Sequence, residues 1–253
     1  RRRAATIAVS DAVAAAARDA GMPAVTTVPV PAAAPAAVIV PAAQCHDVLV
    51  AARLAADKGV DVVIDAFAAV AGDGDRSRLL VAGDGPMRAV LERRAAPLGS
   101  RVQFLGWLDE AELSAVLGRV RTVVVASVPA RRPEGSSLAA VEAAMHARPV
   151  IGSDDPAVAA VVSRLGAGPV VPAADPRALA DALRRLLADD ESVSAYAAAA
   201  SAAVRPHSVA AVTDATRAVY RAVLAGGVGG AGVGGAGVGG AGVGGAGVGG
   251  AGA

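Results

Sequence analysis

Between residues 47 and 190, short apolar runs alternate with amphipathic stretches. The runs VLVAA, LLVAG, VQFLG, TVVVAS, PVIGS and PVVPA have the length and the β-branched content of buried strands. Each is followed by a stretch with helical spacing. In VDVVIDAFAAVAG, for instance, Val60, Val63, Ile64 and Phe67 stand at i, i+3, i+4 and i+7, which is one face of a helix. Six such units predict an α/β domain built on a doubly wound parallel sheet, Rossmann-like, with helices on both faces. The helix-start signals agree. Asp109 and Glu112 can form a capping box, and Asp175 before Pro176 is an N-cap followed by a first-turn proline. Two more helices, over residues 191–203 and 208–224, close the folded part.

The flanks read differently. TIAVS, DAVAAAARDAG and AVTTVPV predict a strand, a helix and a strand, so residues 1–28 look like the end of a domain rather than a whole one. Residues 24–44 carry no charge and could tempt a membrane reading, but Pro29, Pro31, Pro35 and Pro41 break any helix there; residues 29–46 are read as a linker. From Gly226 the sequence repeats GVGGA with period five, which offers no side chains to bury, so a disordered tail over 225–253 is expected. RRRAATIAVSD begins like a secretion signal, but Asp11 cuts its apolar run short. A start at Arg1 rather than methionine points to a fragment.

Composition narrows the function classes. A hydrophobic content of 54 % fills a core, while a formal charge of +1 and 2 % aromatic residues argue against a nucleic-acid surface. A lone Cys45 gives no disulfide framework within the chain, and His46, His146 and His207 have no ligand spacing, so a zinc site is not expected. A reducing cytoplasm fits. Among 24 basic side chains Lys58 is the only lysine, in the stretch LVAARLAADKGVD; against so strong an arginine bias, a compact ammonium stands out.

In doubly wound sheets ligands bind beyond the carboxyl ends of the strands, and the unusual loops, residues 53–59, 83–86, 106–107 and 127–137, all follow strands. They should converge on one rim. In RRPEGSSLAAVEAAMHARPVIGS, Glu134 and Glu142 have seven residues between them, and Ser136 or Ser137 is a natural N-cap for the helix carrying Glu142. The end of that helix suits an anion, and Glu142 lies about 7.5 Å farther along its axis. Leu138, Val141, Glu142 and Met145 share a stripe, so a carboxylate stands on or beside an apolar face and needs a partner there.

Residues 47–190 resemble the C-terminal, donor-binding domain of glycosyltransferases of the GT-B fold, specifically the large family four of retaining enzymes. ARLAADKG resembles its GRL…KG loop, AGDGP its VGDGP turn, FLGWL its strand-end glycine and EGSSLAAVE its E-x7-E motif, all in the family's order. ARPVIGSD and VVPAADPRALADALRRLLAD extend the match, and residues 1–28 resemble the last βαβ of the family's acceptor domain. The resemblance implies that Arg53 and Lys58 hold the diphosphate of a nucleotide sugar, that Glu142 binds the ribose diol, that Glu134 contacts the donor sugar, and that backbone amides from Gly135, Ser136 and Ser137 touch sugar or phosphate. Gly83 and Gly85 would shape a turn near the nucleotide, or be a plain strand-to-helix turn; GDGPMR lacks the third glycine of a dinucleotide fingerprint. Trp107 is assigned to packing rather than to base contact. Ser136 and Ser137 replace a common Phe-Gly, and Ala51 and Ala147 replace common glycines. The implied activity is retaining, metal-independent transfer, with no resident cofactor, from a nucleotide sugar to a lipid, glycan or small-molecule acceptor, in the cytoplasm or at the inner membrane face. The alternative is a split or non-catalytic nucleotide-sugar-binding module that relies on a separate acceptor-domain chain.

Overall fold

The computed structural model of the chain describes residues 4–72, 76–129 and 136–225. It opens with β1 (Thr6–Ala8), α1 (Asp11–Asp19) and β2 (Val25–Thr27), the strand–helix–strand expected, with β1 and β2 paired in parallel. The six apolar runs then become six strands: β3 (Val48–Ala51), β4 (Leu79–Ala82), β5 (Val102–Gly106), β6 (Thr122–Val125), β7 (Val150–Ser153) and β8 (Val170–Val171). Helices α2 (Val60–Ala68), α3 (Arg88–Ala95), α4 (Glu110–Leu117), α5 (Leu138–Met145), α6 (Pro156–Leu165) and α7 (Pro176–Ala188) follow them in turn, and α8 (Asp190–Ala203) and α9 (Val209–Leu224) finish the fold. The tail expected to be disordered lies, from residue 226, outside the described residues.

All neighbouring strands are parallel, in the order β5-β4-β3-β6-β7-β8. The chain winds outward from β3 to one edge, crosses back, and winds outward from β6 to the other. The reversal lies between β3 and β6, where Val48 pairs with Thr122 and Leu49 with Val123. Strand residues alternate between two cores. Val48 and Val50 pack with Val63, Ile64, Phe67 and Leu183 on one face, whereas Leu49 packs with Val123, Val141, Val158 and Val162 on the other. Because both faces are covered, β4, β6 and β7 are buried along their whole length and read as continuous apolar runs.

The linker is held at many points. Val30 O accepts from His207 Nδ1, Ala32 N donates to His207 O, Ala36 N donates to Ser114 Oγ, and Arg148 reaches Val40 O. Arg121 donates to Ala43 O at 3.0 Å and Cys45 O at 3.3 Å. Both arginines are buried, Arg148 completely. Among the described residues Arg148 has no carboxylate partner, and its guanidinium instead reaches the carbonyls of His146, Val120, Gly118 and Val40. Trp107 departs from expectation: it is 75 % exposed and does not serve packing, because Gly106 turns the chain outward at φ +75° at the end of β5. Among the described residues, no helix is long and apolar enough to cross a membrane.

Candidate functional site

A cleft of about 200 Å³ opens at the carboxyl ends of β3 and β6, where the winding reverses. Val50, Ala51 and Ala52 line it from the β3 side, and Val124, Ala126 and Ser127 from the β6 side. Lys58, Ser136, Ser137, Leu138 and Ala139 complete the wall. Sole lysine and helix start therefore meet in one cavity. Ala51 sits in regular strand backbone, so its extra methyl occupies cleft space without straining the chain.

The loop from residue 52 to 59 is fastened on both sides. Towards β4, Leu54 N donates to Asp84 O at 2.9 Å and Met87 N to Leu54 O at 2.9 Å. Gly83 and Gly85 make that approach possible: at φ +128° and +157°, a methyl on either would lie 1.9 Å from Ala52 O or 2.5 Å from Leu54 O. The two glycines thus seat the cationic loop; they do not line the cleft. Towards β6, Val128 N donates to Asp57 O at 2.9 Å, and Gly59 lies so close that a methyl would fall 2.1 Å from Ala126 O. Ser153 Oγ, buried at the end of β7, donates to Ser127 O at 2.7 Å and steadies the far wall.

Charge on this loop is concentrated. Arg53 Nη2 lies 3.4 Å from Asp57 Oδ1, and Lys58 Nζ lies 3.7 Å from Asp57 Oδ2. Arg53 is 56 % exposed and lies outside the cleft wall, one loop position from it. Ser137 takes the N-cap position of α5, as its spacing suggested, but its hydroxyl makes no capping bond, so among the described residues no side chain caps the first amides of α5. Glu142 stands about one turn farther along and is half-buried. Burial first, and the charge of Glu110 second, raise its carboxyl above the usual glutamate range. Among the described residues no hydrogen bond or ion pair reaches that carboxylate. Glu134 and Gly135 lie outside the described residues.

Two features escaped sequence reasoning. Asp57, the acid between the two cations, was visible only as an Arg53–Asp57 spacing of i, i+4. Arg121 and Arg148 were hidden by the arginine bias, in which two buried guanidiniums look like any others.

The model for glycosyl transferases group 1 matches residues 45–189. A phosphatidyl-myo-inositol mannosyltransferase of Mycobacterium leprae is 34 % identical over 170 residues, which are 67 % of this chain and 44 % of that protein. An alpha-D-kanosaminyltransferase of Streptomyces kanamyceticus is 31 % identical over 179 residues, 70 % of this chain and 45 % of that one. The chain therefore spans less than half the length of either relative. The HepE protein of Anabaena, solved with UDP, superposes with a TM-score of 0.75 at 20 % identity, covering 86 % of this chain and 64 % of HepE, and carries the GT-B architecture.

Proposed function

The chain belongs to the group 1 glycosyl transferases, and we propose that residues 47–190 form the donor half of an enzyme that moves a sugar from a nucleoside-diphosphate sugar to an acceptor with retention of configuration. The observation that carries this reading is the cleft at the β3/β6 reversal, walled by Lys58 and by the uncapped start of α5. A diphosphate there meets an ammonium, helix amides at the positive end of the α5 dipole, and the Arg53 fork at the edge. The bond between the anomeric carbon and the phosphate oxygen breaks with its electron pair going to the diphosphate. Fixed cations at that oxygen lower the barrier because they meet charge as it develops. The acceptor hydroxyl oxygen bonds the anomeric carbon on the face the diphosphate leaves, which retains the configuration, and passes its proton to the departing phosphate oxygen. In this reading Arg53 and Lys58 do the work a metal ion does in other transferases, and no resident cofactor takes part.

Glu142 takes the ribose diol. A half-buried carboxylate with a raised pKa gains from two hydroxyl donors, which replace the water it has lost. Glu134, with Gly135, meets the sugar, and Ser136 stands where the sugar adjoins the phosphate. The names of the two relatives specify transfer of different sugars, mannosyl and kanosaminyl, which fits a common diphosphate grip with a variable sugar end.

Calorimetric titration with UDP, GDP and ADP against their nucleosides tests the assignment. Arg53→Ala and Lys58→Ala should each weaken diphosphate binding by about 1.5–3 kcal/mol and leave nucleoside binding nearly unchanged. Equal losses for both ligands move these residues off the phosphate. Glu142→Gln should reduce discrimination between UDP and 2′-deoxy-UDP without lowering the melting temperature; full discrimination in the mutant removes Glu142 from the ribose.

A further inference from the structure

Asp57 stands between the two cations to which the preceding reading gives the diphosphate, and nothing in that reading uses it. Its carboxylate is divided, with Oδ1 3.4 Å from Arg53 and Oδ2 3.7 Å from Lys58. Both separations exceed the roughly 2.7–2.9 Å of a committed charge-assisted bond. Arg78 and Asp47 elsewhere in the chain close to 2.6 Å. Asp57 is also the least exposed of the three, at 13 %, and its carbonyl oxygen is fixed by Val128 N. Arg53 and Lys58 have long side chains that can swing to an incoming anion, whereas the short Asp57 side chain on a pinned backbone cannot retreat far.

A phosphate gripped by both cations would sit roughly 6 Å from this carboxylate, one contact beyond each cation and inside the Debye length of about 8–10 Å. The repulsion is not the same for the two nucleotides that occupy the site. The diphosphate of a nucleotide sugar is esterified at both ends and carries two negative charges. Once the sugar has left, the terminal phosphate regains a second ionisation, with a pKa near 6, and the nucleoside diphosphate carries about three charges at neutral pH. From this placement we propose that Asp57 is a positioning residue that holds Arg53 and Lys58 as a loosely shared pair and biases the site against the more highly charged product, favouring its release. The proposal rests on the assignment of Arg53 and Lys58 to the diphosphate.

The test is titration of the full chain with UDP and UDP-glucose, and with GDP and GDP-mannose, for wild type, Asp57→Asn, Asp57→Ala and Asp57→Glu. Asp57→Asn and Asp57→Ala should tighten nucleoside-diphosphate binding by about tenfold and tighten the sugar-linked form distinctly less. Asp57→Glu, which keeps the charge, should stay close to the wild-type ratio. An equal change for both nucleotides, or weaker binding of both in the neutral variants, overturns the proposal and leaves Asp57 as a loop organiser. Arg53→Ala in the same series separates the two levels: if it leaves diphosphate affinity unchanged, the diphosphate assignment itself fails, whatever Asp57 does.

Discussion

Ala147 offers a mutation whose predicted sign is unusual, because removing its methyl should stabilise the protein. It follows α5 with φ +52°, a left-handed backbone that alanine rarely adopts. The hydrogen bonds around it identify the motif: Ala147 N donates to Ala144 O at 3.0 Å and Arg148 N to Ala143 O at 2.9 Å, the paired bonds of a Schellman ending with His146 as C-cap. Glycine is the usual residue at that position. The left-handed conformation costs an alanine roughly 1–2 kcal/mol. Against this, glycine adds about 0.4–1 kcal/mol of unfolded-state entropy, and loss of a half-buried methyl costs about 0.4 kcal/mol, half the value of a buried carbon. The balance for Ala147→Gly is a gain of roughly 0.5 kcal/mol, or about 1–2 °C in melting temperature for a chain of this size. Paired urea and thermal melts of wild type, Ala147→Gly and Ala143→Gly provide the comparison. Ala143 is fully buried in regular helix, so glycine there should cost at least about 1 kcal/mol. If Ala147→Gly destabilises as Ala143→Gly does, residue 147 is not left-handed in solution and the reasoning fails.

Two further outcomes can be checked on the same melts. Arg148→Met should cost about 3–5 kcal/mol, since it strands several buried carbonyls at once, and it should speed proteolysis near Val40; a loss under 1 kcal/mol would show that water replaces the guanidinium. Burial lowers the pKa of His146 and of His207 below the usual histidine value, and each ring already donates from Nδ1 to a carbonyl and accepts at Nε2, from Ser114 or Arg164. Their contribution is fully present above the unfolded value near 6.5 and is lost as pH falls below it towards the depressed folded values, by about 1.4 kcal/mol for each unit of depression. Stability should therefore fall as pH drops below about 6.5, and His207→Gln should flatten part of that slope; a slope unchanged in His146→Gln and His207→Gln alike would remove both rings from the linkage.

Periodicity made the elements legible because it is a local property. The alternation that sends Val48 and Val50 to one core and Leu49 to the other, and the Asp109–Glu112 box that forms as spaced, depend on residues within a turn or two. Strand order was not legible, since nothing in a βα unit says which earlier strand the next will join; the pairing of β3 with β6 joins residues more than seventy apart. The linker shows the same limit. Its prolines exclude an α-helix, leaving only a 3-10 turn at Ala42–Gln44, but its fixing points, Ser114, Arg121, Arg148 and His207, stand far along the chain, so a passive connector was all its own residues described. Trp107 failed for another reason: a large apolar ring implies burial on average, and the positive φ of Gly106 that turns it outward has no signature in its neighbours.

Helix starts join the legible part of this fold to its chemistry. Of the nine α-helices described, six begin with a side-chain cap, supplied by Ser10, Asp109, Asp155, Asp175, Asp189 and Ser208. The three without one are α2, α3 and α5, which start after Gly59, Met87 and Ser137. These helices leave three of the four rim loops, at residues 53–59, 83–86 and 127–137; α4, which leaves the fourth at 106–107, carries the Asp109–Glu112 box. A side-chain cap is worth about 1 kcal/mol, and a capping carboxylate would both occupy the free amides and repel an anion, so omitting it costs stability and keeps the helix dipole available. The opposite end of α5 is secured by the Schellman bonds, by His146 and by Arg148. One helix is thus firmly tied where it meets the linker and, among the described residues, left without a side-chain cap where it meets the cleft, which is the division expected if an anionic ligand binds at that rim.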